Sequence, residues 1–120
     1  MRRILAAGAV TVLMSAMCFA QNIRQGEFSA DVNSDGWTLA KGSGARTTSI
    51  FVTFDDPFDS PPNVVLSLTG YEMKPGTDGA VRVSIKPDKV TKGGFIIKVH
   101  TWGDSQVTAV SGTWMAYPKK

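Results

Sequence analysis

The sequence predicts an all-β domain, an antiparallel sandwich or barrel, from three observations. Apolar residues recur at alternate positions along short runs, as on a strand with one buried face. Clusters of Pro, Gly, Asp and Ser separate those runs at fairly regular spacing. No window carries a convincing helical period.

The runs follow one another in order. Gly26 to Ala30 reads as a first short strand and Phe51-Val52-Thr53-Phe54 as a second. A third, Val64 to Thr69, places Val64, Leu66 and Leu68 on one face. Val81 to Lys86 alternates cleanly, with Val81, Val83 and Ile85 inward and Arg82, Ser84 and Lys86 outward. Phe95 to Trp102 alternates as well, with Phe95, Ile97 and Val99 inward and Lys98, His100 and Trp102 outward. Val107 to Tyr117 is the sixth run. Asp31 to Arg46, rich in Gly, Ser and Asp, reads as a long loop pinned by Trp37, and Trp114 reads as core.

The first twenty residues have a different character. Arg2 and Arg3 precede an uncharged, mostly apolar run from Ile4 to Ala16, and Cys18-Phe19-Ala20 places small residues where a signal peptidase cuts. We therefore expect residues 1–20 to be a secretory signal peptide and residues 21–120 to be one domain, located in the periplasm or outside the cell. The apolar run is short of the roughly 20 residues a membrane span needs. Removing the signal takes away the only cysteine, so the mature chain forms no disulfide. Without Arg2 and Arg3, eleven basic residues face ten acidic ones, and the formal charge falls from +3 to +1. That balance gives no electrostatic footprint for nucleic acid. A domain of this size with no staple gains buried area by assembling with copies of itself.

Catalytic chemistry finds little support. One histidine and no mature cysteine supply neither a zinc ligand set nor a serine triad. Asp55, Asp56 and Asp59 sit in a Pro-rich turn where acids ordinarily face water, so a glycosidase pair is not supported. Asp31-Val32-Asn33-Ser34-Asp35-Gly36 lacks the closing Glu of a calcium loop and reads as an Asx-rich turn. We expect no enzyme, no metal and no cofactor.

Arg82 and Trp102 carry more information. Both point away from the inferred core, and a guanidinium beside an indole suits a sugar. The ring covers the C–H face, while Arg and Asp satisfy hydroxyls with directional hydrogen bonds. Blander readings stand beside this one. An outward Arg is commonly just solvated, and Trp102 could cap the core edge or lie in a subunit interface. His100 reads as structural.

Six segments taken in order resemble a known family. They are Gln25-Gly26-Glu27-Phe28 with Gly36-Trp37, then Phe54 to Leu68 with its Pro-aromatic and Val-rich pattern, Val81-Arg82-Val83, Val90 to Phe95, Thr101-Trp102 and Trp114-Met115-Ala116. Together they resemble the H-type lectin domain family, whose members include a snail agglutinin and the C-terminal domains of slime-mould discoidins. The resemblance implies a six-stranded antiparallel β-sandwich that forms a homotrimer. It also implies metal-free binding of galactose or N-acetylgalactosamine at clefts between protomers. The family's sugar-contacting Arg and Trp fall on Arg82 and Trp102. Its His after the Trp is replaced by Gly103. Its loop acid falls near Ser43 in a shortened loop, which leaves Asp104 as a substitute acid, and a Tyr from the neighbouring protomer falls near Thr108. The expected site is thus Arg82, Trp102, Asp104, Ser43 and Gly103, and the expected partners are glycans or glycoconjugates. A secreted structural or adhesion module, with the same sandwich and trimer but no working sugar site, is the alternative.

Overall fold

The structure, a computed structural model, describes residues 22–119. The signal peptide expected at residues 1–20 lies outside them. Six strands form the domain: β1 (Arg24–Asp31), β2 (Arg46–Thr53), β3 (Asn63–Lys74), β4 (Ser84–Asp88), β5 (Gly94–Thr101) and β6 (Gln106–Tyr117). They make two three-stranded antiparallel sheets, ordered β1-β6-β3 and β2-β5-β4. Each expected run contains a strand, though the bounds differ, and there is no helix among the described residues. The barrel left open by the alternation is excluded, because the two sheets remain separate.

Alternation along the strands explains the layering. On β5, Phe95, Ile97, Val99 and Thr101 are buried while the residues between them are partly exposed. From the other sheet, Phe28, Val107, Val110 and Ala116 meet this face, with Val64, Leu66 and Leu68 packed against them. Aromatic rings fill one end of the core. Phe54 touches Phe58, Phe95 and Trp114 at centroid distances of 5.1, 5.8 and 5.7 Å. Phe95 and Trp114 meet edge to face at 5.6 Å and 74°, a geometry that aligns ring edge with ring face. Trp114 is core, as its position predicts.

The opposite end is built differently. β1, β3 and β5 finish there, and β2, β4 and β6 begin there. The three connections 32–45, 75–83 and 102–105 therefore lie side by side. Leu39, fully buried, and Trp37 anchor the first of them. The Trp37 indole N–H donates to the Val107 carbonyl at 2.8 Å, and the Val107 N–H donates to the Leu39 carbonyl at 2.8 Å. The Asx turn expected at Asp31 is present, with the Asn33 N–H donating to Asp31 Oδ1 at 2.9 Å.

One expectation needs correction. β4 starts at Ser84, so Val81 and Arg82 precede the strand instead of alternating within it, and Val81 is exposed. The register gives the reason. Ser84 pairs with His100, so Arg82 would have to pair with Trp102, but β5 has ended at Thr101 and Gly103 turns the chain with φ of 71°. The strand has no partner left at that level. Arg82 is held through its carbonyl instead, which accepts the buried Thr101 hydroxyl at 2.5 Å.

The ring cluster is the part of the core most sensitive to truncation. Phe54→Ala removes a buried ring that touches three others, and should lower the unfolding free energy by about 3–5 kcal/mol. Denaturant unfolding of the variant measures this. A loss under about 1 kcal/mol would show that the cluster is not the anchor of that end.

Candidate functional site

Three buried hydroxyls position the loops at the polar end. Thr101 holds Arg82 as described, Ser105 Oγ donates to the Ala80 carbonyl at 3.1 Å, and Thr48 Oγ1 donates to the Gly36 carbonyl at 3.1 Å. Each hydroxyl is buried on a strand or turn, and each would be costly to leave unpaired, so the loop carbonyls are fixed in place. Arg46, at the start of β2, ties the remaining pieces together. Its guanidinium donates to the carbonyls of Gly44 (3.0 Å), Lys41 (2.7 Å), Gly103 (3.1 Å) and Ser105 (2.6 Å), with a longer contact of 3.5 Å to Leu39. The Gly44 N–H also donates to the Gly103 carbonyl at 2.7 Å. Loop 32–45 and turn 102–105 are thus joined at Gly103.

The residues expected at a site converge on this end. Arg82 lies across Gly103, where an added Cβ would stand 3.3 Å from Arg82 Nη1 and 3.4 Å from its Cδ. Gly103 is therefore required twice, for its positive φ and for the space the Arg82 side chain fills. Trp102, immediately before it, is 41% exposed. Ser43 is exposed beside Gly44 and makes no hydrogen bond among the described residues. Both Asp104 carboxylate oxygens accept the Thr77 N–H, at 3.1 and 3.0 Å.

Two residues that spacing did not single out belong to the same cluster. Asp78 faces Arg82 in a two-point ion pair, with Nη2 to Oδ2 at 2.6 Å and Nη1 to Oδ1 at 3.2 Å. Its own turn aims it there: the Gly76 N–H donates to the Ala80 carbonyl, Gly79 takes φ of 78°, and the Ala80 N–H donates to Asp78 Oδ1 at 3.0 Å. The Asp-x-x-x-Arg spacing across a Gly turn is the available signal, but in sequence it looks the same as ordinary loop punctuation. His100, read from the sequence as structural, stacks on Trp102 at 5.3 Å and 21° and shares a 3.0 Å hydrogen bond with Thr47 Oγ1. It supports the indole from the sheet face.

Gly76 marks the centre of the charged group. An added Cβ there would strike the Asp104 carboxylate and stand 3.1 Å from Asp78 Oδ1 and 3.3 Å from Arg82 Nη1. The backbone is thus closely covered by all three charged side chains. The Arg82 hydrogen bond, aided by the Ala80 N–H, lowers the Asp78 carboxyl from 3.8 to about 2. The same pairing raises Arg82 further above its usual range. Hydrogen bonds from Thr77, from its hydroxyl first and then its backbone N–H, hold Asp104 below the usual carboxylate value. At neutral pH the site presents two anionic acceptors and one cation. Thr108 donates its hydroxyl to the Glu72 carbonyl and Oε1 at 3.0 and 3.1 Å. Among the described residues no group of three or more His, Cys, Asp or Glu side chains is placed to hold a metal ion.

Comparison with known proteins agrees with this architecture. The profile of the H-type lectin domain matches residues 49–117. A protein of Fuscovulum blasticum known as ATP synthase subunits region ORF 7 is 34% identical over 83 residues, which cover 69% of this chain and 70% of that one. Two structures of discoidin II of Dictyostelium discoideum, one of the recombinant and one of the wild-type protein, superpose with a TM-score of 0.69 at 26% identity. The match covers 78% of this chain but 35% of the discoidin chain, so the chain spans about a third of that protein's length.

The Asp78 pairing has a defined pH dependence. A carboxyl that folding depresses stabilises the fold above its unfolded value of 3.8, and the contribution is lost as pH falls through the folded value of about 2. Carboxyl-detected NMR titration should therefore place Asp78 near 2, and Arg82→Gln should raise it toward the ordinary range. An ordinary midpoint in the unaltered protein would mean that the ion pair does not form in solution.

Proposed function

Since the chain belongs to the H-type lectin domain family and carries a lectin-type β-sandwich, we propose that it is a secreted carbohydrate-binding protein for galactose-type sugars, including N-acetylgalactosamine. The observation that carries this reading is the Arg82–Asp78 pair set across Gly103 beside the exposed Trp102. A hydroxyl can donate to one carboxylate oxygen of Asp78 while accepting from the guanidinium. Two neighbouring hydroxyls can engage both ends of the pair. The Trp102 face then covers the C–H side of the ring. Asp78 joins Asp104 as an acceptor, since its Oδ2 accepts only from Arg82 Nη2 and keeps a lone pair beside the guanidinium. Ser43 reaches the sugar from the β1–β2 loop.

The proposed assembly is a homotrimer with the sites at clefts between protomers. Support comes from the small unstapled domain and from exposed apolar side chains such as Val65 and Tyr71, which a partner would cover. A single shallow polar site binds weakly, and three on one assembly gain by avidity. Nothing in this chemistry requires catalysis, and the family and fold are of a non-enzymatic kind.

Arg82→Ala should cut binding to galactose-type glycans on an array by roughly tenfold or more, since charge-assisted hydrogen bonds are the strong ones, while the mass of the assembly stays unchanged. Trp102→Ala should weaken the same glycans by a smaller factor, about three- to tenfold. Absence of binding to every glycan at high display density would overturn the reading in favour of a structural module.

A further inference from the structure

The outer face of the β2-β5-β4 sheet holds an arrangement that the sugar site does not explain. Side chains stand there in rows fixed by the register. Thr47, His100 and Ser84 form the first row, next to Trp102; Ser49, Lys98 and Lys86 form the second; Phe51, Ile96 and Asp88 form the third. Two lysines thus lie directly opposite one another on neighbouring strands. Like charges so placed destabilise a sheet. Neither lysine forms an ion pair with a described residue, and the Lys98 ammonium only donates to Ser49 Oγ at 2.9 Å. Asp88 lies on the same face, one row farther on, across from Ile96. A cleft of about 490 Å³ opens between these rows, lined by Thr47, Ser84, Lys86, Asp88, Lys98 and His100.

From this geometry we infer a second subsite for an anionic substituent, a sulfate ester or a carboxylate, on the glycan whose neutral ring sits at Arg82 and Trp102. The inference rests on the sugar-binding reading above. Continuity between the two places is given by His100, which stacks on Trp102 at one side and lines the cleft at the other. Lys86 and Lys98 would close on the anion from two strands, turning a mutual repulsion into a shared attraction. The hydroxyls of Thr47 and Ser84 would donate to its remaining oxygens. Beyond the lysines stands Phe51, 77% exposed, a second aromatic surface on the same face as His100. With strands rising about 3.4 Å per residue, the rows of His100 and Phe51 lie about 14 Å apart. That span suits a chain of sugars better than a single ring. Asp88, at the far row, disfavours an anion there and confines it to the lysine row.

The test compares short galactan oligosaccharides in neutral and sulfated form, with oligogalacturonate as the carboxylate probe, titrated into the full assembled protein at low and moderate salt. The acidic probes should bind roughly three- to tenfold tighter than the neutral one at low salt, and the advantage should shrink as salt rises. Whichever of the two acidic probes gains more identifies the substituent. In the double variant Lys86→Gln, Lys98→Gln the advantage should vanish while neutral binding persists. That variant should melt no lower than the unaltered protein, because it removes a like-charge pair. Neutral binding with no acidic advantage, or an advantage that survives in the double variant, overturns the subsite and leaves the sugar reading intact. Lysine-dependent binding of acidic probes alone supports the subsite and counts against a neutral galactose site. Binding of none of the probes removes both.

Discussion

Everything at the polar end of this sandwich depends on where the Arg46 guanidinium points. The two sheets have an apolar interior, but their loop ends do not: there the chain must satisfy a set of carbonyls in a region that aromatic rings cannot fill. Arg46 meets four of them at 2.6–3.1 Å. Two belong to the loop on its own side of the chain, and two belong to the turn after β5. Charge-assisted bonds of this kind are roughly twice as strong as neutral ones, and a planar donor group can serve several acceptors without bending. Lysine, a point charge with three donors, could not hold both loops in the same way.

The turn that Arg46 fixes is the one that carries Trp102 and Gly103, so the clamp sets the geometry of the candidate site without touching a ligand. With the Gly103 carbonyl held by Arg46 and by the Gly44 N–H, its Cα faces the space that Arg82 occupies. A larger residue there would have to adopt a positive φ and push the guanidinium aside. The absence of a side chain at Gly103 is thus coupled to the position of Arg82: it leaves room for Arg82 to lie down against the turn, where Asp78 meets it. On the proposed sugar-binding reading, the acid comes from the β3–β4 loop, where Asp78 pairs with Arg82.

This division explains what could be read from the sequence. The strands were legible because one buried face imposes a period of two, and Phe95, Ile97, Val99 or Val64, Leu66, Leu68 can follow no other rule. Trp114 is legible on a strand for the same reason, and Trp37 stands out as the one aromatic in a loop rich in Gly, Ser and Asp. Alternation failed at Val81 and Arg82, where the pattern continues but the neighbouring strand has stopped; periodicity records which face a residue would take, not whether a partner exists. Arg46 and Asp78 were hidden for a different reason. Arg46 bonds to residues 57 and 59 positions away, and no local pattern encodes such a distance. Asp78 is local to Arg82, but an Asp in a Gly-rich turn has an ordinary explanation that hides the specific one. His100 was read as structural because its outward position named no partner, yet that same position put its ring beneath Trp102.

In the proposed site a ligand meets a guanidinium already paired with a carboxylate, which sets up a competition with Asp78. The energetics run the other way. An isolated Arg would lose water on binding and gain only neutral acceptors, and its long side chain would lose rotamer freedom at that moment. Here Asp78 fixes that freedom during folding. The pair also remains intact when a hydroxyl joins it, because Asp78 Oδ2 accepts only from Arg82 Nη2 and keeps a free lone pair, while Oδ1 is filled by Arg82 Nη1 and the Ala80 N–H, and the guanidinium has donors beyond the two in use. On the proposed reading, a sugar therefore completes a network instead of replacing one. Such a network prefers a ligand whose adjacent hydroxyls match its donor–acceptor spacing, so in the proposed site the Arg82–Asp78 geometry would supply selectivity that so open a surface could not obtain from enclosure.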